Sequence, residues 1–233
     1  MIPKLSFVIP TYNCVTWLPH AVTSCLQQTV NDIEVVVVDD GSTDKTGEYL
    51  KWLERDPRVH ILRQKNQGRS AARNAGNARA TADIIAVLDA DDLATPNRAE
   101  LTIRKFANSK ADLVYGAATV IDAIGNPSVI LGADVFDLEK SIKSMTNLIV
   151  HSTLAYKKRV SESFPYRGGD ISKNGIDDWA FEIEAAMGGC VLEYVPHRLA
   201  CYRLLENSVT HSRVESEVRA VKEKFLESRQ VPA

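Results

Sequence analysis

The amino-acid sequence predicts an α/β fold with a mostly parallel central sheet, and three observations support this class. Apolar runs rich in β-branched residues alternate with segments of helical periodicity through the first half of the chain. Turn-forming and helix-capping residues follow each run. Strand–helix–strand units of this length form right-handed crossovers between parallel strands. We therefore expect one parallel sheet with helices packed on it.

The first half contains the regular part of this pattern. In chain order we predict a strand at 5–9, a helix at 17–28, a strand at 33–38, a helix carrying Leu50 and Leu53, a strand at 59–62, a helix at 70–80 and a strand at 84–88. Polar clusters end the first two strands, and the cluster at 39–44 suits a tight loop followed by a helix N-cap.

The pattern changes after residue 92. We predict a helix at 96–108, a strand at 113–115 with a hairpin through Gly125-Asn126-Pro127, a helix at 137–145, strands at 153–156, 191–195 and 199–202, and a charged helix at 213–228. The segment 164–176 is rich in Gly, Ser and Lys and is predicted to be a mobile loop. No linker separates the two halves, so we expect a single domain with the halves 1–110 and 111–233.

Composition and charge exclude several classes of protein. The 28 basic and 30 acidic residues give a net charge of -2, which argues against nucleic acid as the main partner. No stretch approaches the ~20 apolar residues of a membrane span, and the N-terminus lacks the apolar core of a signal peptide. The scattered Cys14, Cys25, Cys190 and Cys201 indicate reduced thiols and no zinc site. We expect a cytoplasmic protein, either soluble or peripheral at the inner face of the membrane.

Asp89-Ala90-Asp91 is the most informative short motif, because it ends a buried strand. Side chains alternate along a strand, so Asp89 and Asp91 would face the same side if the extended form persists through the motif. Open α/β sheets bind ligands at this edge, and Mg²⁺-type cations take one or two carboxylates plus substrate phosphates. The alternative is a solvated acidic turn, in which Asp92 and Pro96 end the strand and start a helix. An isolated Asp-x-Asp favours that alternative.

Polar residues end the neighbouring strands at the same edge. Pro10-Thr11-Tyr12 offers backbone groups and an aromatic ring that could pack on a planar base, and Asp39 could accept the N–H of a uracil ring. Packed turn residues and a helix-capping cluster are the alternatives. Arg69 and Arg73 follow Gly68 at the start of a helix, where phosphate binding is favoured. Solvated or salt-bridged arginines remain the alternative.

Four segments, in preserved order over the first 110 residues, resemble the family-two glycosyltransferases. They are Phe7-Val8-Ile9-Pro10-Thr11-Tyr12-Asn13, Val37-Val38-Asp39-Asp40-Gly41-Ser42-Thr43-Asp44, Asn66-Gln67-Gly68-Arg69-Ser70-Ala71-Ala72-Arg73-Asn74-Ala75-Gly76 and Asp89-Ala90-Asp91-Asp92. The resemblance implies an inverting enzyme with the GT-A fold, a three-layer α/β/α arrangement. It also implies that 1–110 binds a nucleotide-sugar and that 111–233 binds the acceptor.

The resemblance implies roles for individual residues of the nucleotide half. Pro10, Thr11 and Tyr12 would border the uracil and ribose, Asp39 would bind the base, and Arg69 would lie near the base or a phosphate. Asp89 would serve the ribose or the metal's surroundings, and Asp91 would ligate manganese or magnesium. Arg73 and Asp92 are secondary candidates, for the diphosphate and the metal respectively.

In the second half, Asp177-Asp178-Trp179 stands at the start of a predicted helix that ends at Gly188-Gly189. A helix cap is the alternative interpretation. The segment is similar to the family's acidic pair before an aromatic residue, whose second member is the catalytic base. The resemblance therefore implies that Asp178 is the general base and that Asp177, where the family more often has Glu, contacts the acceptor, with Trp179 beside them.

Two further residues are secondary candidates. His151 falls where family members approach the acceptor, although a structural hydrogen bond is the more common role of a lone histidine. Tyr202-Arg203 followed by Asn207-Ser208-Val209-Thr210 is similar to the family's Arg-x-His-x-x-Ser-x-Ser signature, but Leu205 stands where the histidine is expected. The diphosphate or metal contact of that histidine is therefore not expected from position 205, and Arg203 is retained as a secondary candidate for contact with substrate. The Gln-x-x-Arg-Trp signature of processive synthases is absent from the sequence, which favours single additions.

We therefore expect a metal-dependent, inverting, hexosyltransferase-type enzyme that uses Mn or Mg. It would move one sugar from a UDP-sugar to a hydroxyl of a glycan, polysaccharide or lipid-linked saccharide. One alternative is a phosphohydrolase that forms an aspartyl-phosphate at Asp89, which leaves Thr11, Asp39 and Arg69 without a role. The other is a non-catalytic nucleotide-sugar-binding module, for which Asp178 would be dispensable.

Overall fold

The computed structural model of the chain describes residues 2–132, 135–205 and 215–230. The strands are β1 (Leu5–Thr11), β2 (Ile33–Asp39), β3 (Val59–Arg63), β4 (Ile84–Val87), β5 (Leu93–Ala94), β6 (Leu113–Ile121), β7 (Pro127–Leu131), β8 (Ala155–Lys157) and β9 (Leu192–Arg203). The helices are α1 (Leu18–Leu26), α2 (Thr46–Leu53), α3 (Arg69–Arg79), α4 (Arg98–Ala107), α5 (Leu138–Ser144), α6 (Lys158–Ser163), α7 (Asp170–Lys173), α8 (Asp177–Met187) and α9 (Glu215–Glu227), with a 3₁₀ turn at His151–Thr153.

The described strands form one sheet in the order β3-β2-β1-β4-β8-β6-β9-β5, with β7 paired to β6. Strands β3, β2, β1 and β4 are parallel, as the strand–helix alternation predicts. Beyond β4 the sheet is mixed, because β8 runs antiparallel to both β4 and β6, while β6 and β9 are parallel. The predicted α/β class is confirmed, and the sheet is mixed rather than purely parallel.

The central strands β1, β2 and β4 are buried on both faces, which explains their continuous apolar runs. Alternate residues of β2 enter opposite cores: Val35 and Val37 pack with α1, α2 and α4, whereas Val36 and Val38 pack with α3, α6 and α8. The resulting layers are helix, sheet and helix. On the second face α3 approaches closely at Gly76, where a Cβ atom would collide with Val8.

The second half differs in detail from the prediction. Strand β6 extends to Ile121 instead of ending near residue 115, and the two predicted strands at 191–195 and 199–202 are one strand, β9. Register shifts near Gly116 and Ala117 let β9 stay paired with β6 across the polar interruption. The segment 164–176 is not wholly irregular, because it contains the short helix α7. The predicted start of the last helix, near residue 213, lies outside the described residues.

Candidate active site

The carboxyl ends of β1, β2 and β4 bring the polar motifs of the first half to one edge of the sheet. Thr11 at the end of β1 is in register with Asp39 at the end of β2. On the other side of β1, the chain leaving β4 stays paired as far as Leu88, whose N–H donates to the Val8 carbonyl at 3.1 Å. Asp89 follows directly. The motifs predicted to act together are therefore neighbours in space.

At the first of these ends, the hydroxyl oxygen of Thr11 is buried and has no hydrogen-bond partner among the described residues. Tyr12, next to it, is half exposed. Pro10 lies in the register that pairs β1 with β2. An unpartnered buried hydroxyl beside an exposed ring is suited to receiving a ligand that carries both a polar group and a planar ring.

The loop after β2 is ordered by two adjacent carboxylates. Asp39 is buried, and its Oδ1 accepts the N–H of Ser42 at 2.9 Å. Asp40 accepts the backbone N–H groups of Gln67 and Gly68 at 2.9 and 2.8 Å. Asp40 thereby anchors the segment that leads into α3. This role of Asp40 was not predicted from the sequence, because clusters of this composition are common helix-capping segments.

Asp89 and Asp91 lie close enough for their charges to interact. Asp89 Oδ1 accepts from Arg73 Nη2 at 2.7 Å, and its side chain is 34% exposed. Burial alone would raise the pKa of Asp89, but Arg73 together with the other basic groups nearby outweighs it and holds that pKa below its usual range. Burial, with the charge of Asp89, raises the pKa of Asp91 to about 6. A cation beside Asp91 would relieve both effects.

Asp92 has a different environment. It is 1% exposed, its Oδ1 accepts the N–H of Arg203 at 2.7 Å, and its Oδ2 has no hydrogen-bond partner among the described residues. Burial and the neighbouring carboxylates Asp91 and Asp89 raise its pKa well above the usual range. Asp92 therefore connects the acidic motif to Arg203 at the end of β9.

The donor set at this edge suits a cation that also binds substrate oxygens. Among the described residues, no three His, Cys, Asp or Glu side chains are grouped so as to hold a metal by themselves. Asp91 and Asp89 would supply one or two carboxylates. Mg²⁺-type sites take further oxygens from water and phosphate, so this edge fits a divalent cation completed by a diphosphate.

Two of the arginines of α3, Arg69 and Arg73, are paired with the second half of the chain. Asp177, at the first position of α8, accepts from Arg73 Nη1 at 2.5 Å, from Arg69 Nε at 2.8 Å and from Ser70 Oγ at 3.2 Å. Burial would lower the pKa of Arg73, but Asp89 and Asp177 outweigh burial and hold it well above the usual range. The ion pairs Asp89–Arg73–Asp177 thus connect the acidic motif directly to α8.

Asp177 and Asp178 occupy different positions although they are adjacent. Asp177 is fully buried, so in this conformation it has no surface with which to contact an acceptor. Asp178 is partly exposed, and its Oδ1 accepts the N–H of Trp179 at 2.8 Å. Trp179 is buried, donates to Ser141 Oγ at 3.1 Å and packs against α9. Asp178 is therefore the carboxylate of this pair that α8 presents at its N-terminus.

His151 and Arg203 are both buried in protein contacts. His151 Nε2 lies 3.1 Å from the hydroxyl of Tyr166, and burial together with Arg73 lowers the pKa of His151 to about 3, so the ring is neutral. Arg203 donates from Nε to the Asp91 carbonyl at 2.9 Å and lies over the ring of Trp17 at 4.6 Å. In this conformation both side chains are almost wholly buried. The predicted partners of Arg203 at 207–210 lie outside the described residues.

Two supporting residues carried no signal in the sequence. Ser152 Oγ accepts the N–H of Asp89 at 3.1 Å, which fixes the backbone of the acidic motif. Tyr166 exchanges two hydrogen bonds with the side chain of Asn74, each 2.9 Å long, through its backbone N–H and carbonyl. Both are ordinary residue types at long sequence separation from their partners, so only the folded chain brings them together.

Comparisons with known proteins identify the family of the chain. Residues 6–151 match the family model described as glycosyl transferase family 2. An uncharacterized glycosyltransferase of Nostoc sp. is 30% identical over 221 residues, covering 91% of this chain and 65% of the relative. The chondroitin synthase of Pasteurella multocida is 41% identical over 110 residues, which is 47% of this chain and 11% of that protein.

Solved structures share the fold at low sequence identity. S. aureus TarS 1-349 in complex with UDP-GlcNAc gives a TM-score of 0.76 at 17% identity, covering 96% of this chain and 66% of that chain. The mannosyltransferase PcManGT from Pyrobaculum calidifontis, in complex with GDP-Man and Mn²⁺, gives 0.70 at 18% identity, covering 100% and 66%.

The chain belongs to glycosyl transferase family 2, because the family model matches more than half of it. The predicted family and GT-A-type fold are thereby confirmed. The chain spans about 65% of the length of the Nostoc relative. None of the helices in the described parts of the chain has the length and apolar character needed to cross a bilayer.

Proposed function

We propose that the protein is a metal-dependent, inverting glycosyltransferase that moves one sugar from a UDP-sugar to an acceptor hydroxyl. The observation that carries this proposal is the ion-pair bridge Asp89–Arg73–Asp177. It joins the acidic motif at the end of β4 to the first turn of α8, where Asp178 is partly exposed. In this proposal a donor diphosphate would bind at the acidic motif, and Asp178, at the other end of the bridge, would act as the base for the acceptor.

The donor side is supported by the ends of β1 and β2. Asp39 would accept the ring N–H of the base, Tyr12 would pack on the base or ribose, and the unpartnered hydroxyl of Thr11 would find a partner in the ligand. Solved proteins of this fold hold UDP-GlcNAc and GDP-Man, which supports a nucleotide-sugar as the donor. We assign UDP because a single carboxylate suits the one ring N–H of uracil.

Asp91, with help from Asp89, would hold a divalent cation, Mn²⁺ or Mg²⁺. Such a cation supplies neutralisation of the charge that develops on the departing diphosphate. The mannosyltransferase complex that contains Mn²⁺ supports a metal of this kind. The chain's own contribution is to fix the motif: Ser152 accepts the N–H of Asp89, and Arg203 donates to the Asp91 carbonyl and to the Asp92 side chain.

Asp178 would take the proton from the acceptor hydroxyl as that oxygen attacks the anomeric carbon. Its Oδ1 is held by the N–H of Trp179, whereas its Oδ2 makes no hydrogen bond with the described residues. One oxygen is thus fixed and the other is available to the acceptor. The family resemblance implies that Asp177 contacts the acceptor. We propose instead that Asp177 holds α8 against α3 through its ion pairs with Arg69 and Arg73.

The two rival functions are weaker on specific grounds. A phosphohydrolase needs Asp89 as a nucleophile, yet Asp89 Oδ1 is engaged by Arg73, and Asp39 and Thr11 have no role in that reaction. A binding module has no use for the partly exposed Asp178. The acceptor is proposed to be a saccharide, free, polymeric or lipid-linked, since the acceptor half carries no signal that narrows the class further.

The test is a screen of UDP-sugars and GDP-sugars by thermal unfolding, with and without Mn²⁺. A UDP-sugar at one hundred times its Kd should raise Tm by about 5–10 °C, and only in the presence of the metal. Asp91→Ala should abolish the metal-dependent part of the shift. A shift with GDP-sugars alone would overturn the donor assignment, and a shift unchanged in Asp91→Ala would overturn the metal site.

Assays of turnover distinguish the proposed glycosyltransferase from the phosphohydrolase and from the binding module. With an active donor, Asp178→Asn should bind it as the wild type does and fail to transfer the sugar. Release of phosphate from a simple phosphomonoester that is lost in Asp89→Asn would instead support the phosphohydrolase. Donor binding without any transfer by the wild type, whatever saccharide is offered, would support the module.

A further inference from the structure

A second carboxyl group lies one helical turn after Asp178, wholly inside the protein. Glu182 is fully buried, and neither of its oxygens has a hydrogen-bond partner among the described residues. An ionised carboxylate in such surroundings is strongly disfavoured. The function proposed above does not use this group, so its presence in the core needs a physical reason.

The charged groups that face Glu182 do not neutralise it. Asp178 lies one turn away on the same helix and opposes ionisation, and burial acts in the same direction. Lys222 on α9 acts in the opposite direction, but its Nζ donates to the Met145 carbonyl at 2.6 Å. The balance raises the pKa of Glu182 well above its usual range. The carboxyl group is therefore available as a hydrogen-bond donor.

An acceptor for that donor stands next to it. Glu182 Oε1 lies 3.7 Å from Nδ1 of His151, which is likewise buried without a hydrogen-bond partner among the described residues. Beyond it, His151 Nε2 lies 3.1 Å from the Tyr166 hydroxyl, which lies 3.3 Å from the Tyr156 hydroxyl. The Tyr156 hydroxyl donates to Oδ1 of Asn77 at 3.1 Å. The three groups between Glu182 and Asn77 can each donate one hydrogen bond and accept another.

We propose that Glu182 carries a proton and donates it in a hydrogen bond to His151 Nδ1. This bond starts a directed chain that continues through Tyr166 and Tyr156 to Asn77 and seats α8 against α3. His151 would then carry its proton on Nε2 and donate to Tyr166, and each hydroxyl would donate to the next group. The Glu182–His151 separation needs to close by only about 0.7 Å to reach ordinary hydrogen-bond length.

The two ends of the chain explain its value. Asn77 lies on α3 two turns after Arg69, and Glu182 lies on α8 one turn after Asp178. Helices α3 and α8 are thus joined twice, by the ion pairs of Asp177 with Arg69 and Arg73 and by the proposed chain of neutral hydrogen-bonding groups. The ring of Tyr166 also stacks on Phe181 of α8, with centroids 4.5 Å apart. Glu182 is a positioning residue in this account, and that part rests on the proposed role of Asp178.

Spectroscopy tests the chain without any need for turnover. In protein labelled with ¹⁵N-histidine, the His151 resonances, identified by their loss in His151→Gln, should show a protonated Nε2 and an unprotonated Nδ1. Infrared difference spectra should contain a protonated-carboxyl band that disappears in Glu182→Gln. Glu184→Gln is the matched control, because Glu184 lies on the same helix and its carboxylate is already paired with Arg167 and Arg229. A proton on Nδ1, or no band assignable to Glu182, would overturn the directed chain.

Kinetics then tests positioning. Glu182→Gln keeps a donor of the same size and should retain kcat within about threefold, whereas Glu182→Leu should lower kcat about tenfold to a hundredfold with the KM for donor unchanged. If Glu182→Leu fails to fold, Tyr166→Phe interrupts the chain while keeping the stacked ring and should show the same split. If Glu182→Gln and Glu182→Leu lower kcat equally, or if Tyr166→Phe keeps full activity, the positioning role of Glu182 is contradicted. Undiminished transfer by Asp178→Asn would instead refute the proposed base and leave the spectroscopic result standing.

Discussion

Removal of the Asp177 carboxylate is the sharpest test of how the two halves are joined. Asp177 is fully buried and is the shared acceptor of Arg69, Arg73 and Ser70. Removing one partner of a buried ion pair costs about 3–5 kcal/mol, since the remaining charge stays buried. In Asp177→Ala, Arg73 keeps Asp89 as a partner, and Arg69 is 29% exposed and can be hydrated. We therefore expect Asp177→Ala to lower the free energy of unfolding by an amount near the lower limit of this range, about 3 kcal/mol.

The assay is urea unfolding followed by circular dichroism and by tryptophan fluorescence, compared for coincidence of the two transitions. Asp177→Asn keeps the shape and accepts hydrogen bonds without the charge, so it should lose about half as much, on the order of 1–2 kcal/mol. Asp170→Ala, an exposed aspartate on α7, is the control and should stay within about 0.5 kcal/mol of the wild type. A loss below about 1 kcal/mol in Asp177→Ala would refute the argument that this carboxylate holds α8 on α3.

Two further predictions concern packing and pH. Gly76→Ala should destabilise the protein by about 1–3 kcal/mol despite alanine's helix propensity, because the new Cβ would collide with Val8. Gly47→Ala on α2 is the control. No atom lies within 4 Å of a Cβ at that position, so the substitution should be neutral or stabilising in the same unfolding assay. The pKa of Asp91 is raised from 3.8 to about 6 in the folded chain, so the metal-free protein should lose stability as pH rises from about 4 through 6. At pH 7 without metal, Asp91→Asn should therefore have a Tm about 2–4 °C above that of the wild type by calorimetry. With Mn²⁺ and UDP present, the wild type should instead have the higher Tm. A lower Tm for the metal-free variant would contradict the prediction.

Much of the fold could be predicted because its information is local. The valine run of β2 is buried on both faces, and such a run has few alternatives when turn residues bound it. The carboxyl ends of parallel strands share one edge, so the proximity of Thr11, Asp39 and Asp89 followed from the class of fold alone. The mixed part of the sheet did not follow, because β8 has only three residues and its pairing depends on β4 and β6.

The site was less predictable where burial decides a residue's role. Asp177 and Asp178 are indistinguishable in sequence, yet one is enclosed by two arginines more than 100 positions away and the other is partly exposed. His151 likewise has a residue type that suits an acceptor site, and only the packing of Tyr166 and Glu182 around it shows a neutral buried ring. Such roles arise from tertiary contacts that no local pattern encodes.

Transfer by Asp178→Asn, measured together with donor affinity, tests the central claim most directly. With a UDP-sugar and acceptor that support turnover by the wild type, the account predicts that this variant binds donor and Mn²⁺ with unchanged Kd by calorimetry. Its rate of transfer in a single turnover should fall by about a hundredfold or more, which is the usual contribution of a positioned base. A variant that binds equally well and transfers the sugar at the wild-type rate would contradict the assignment of Asp178 and the geometry on which it depends.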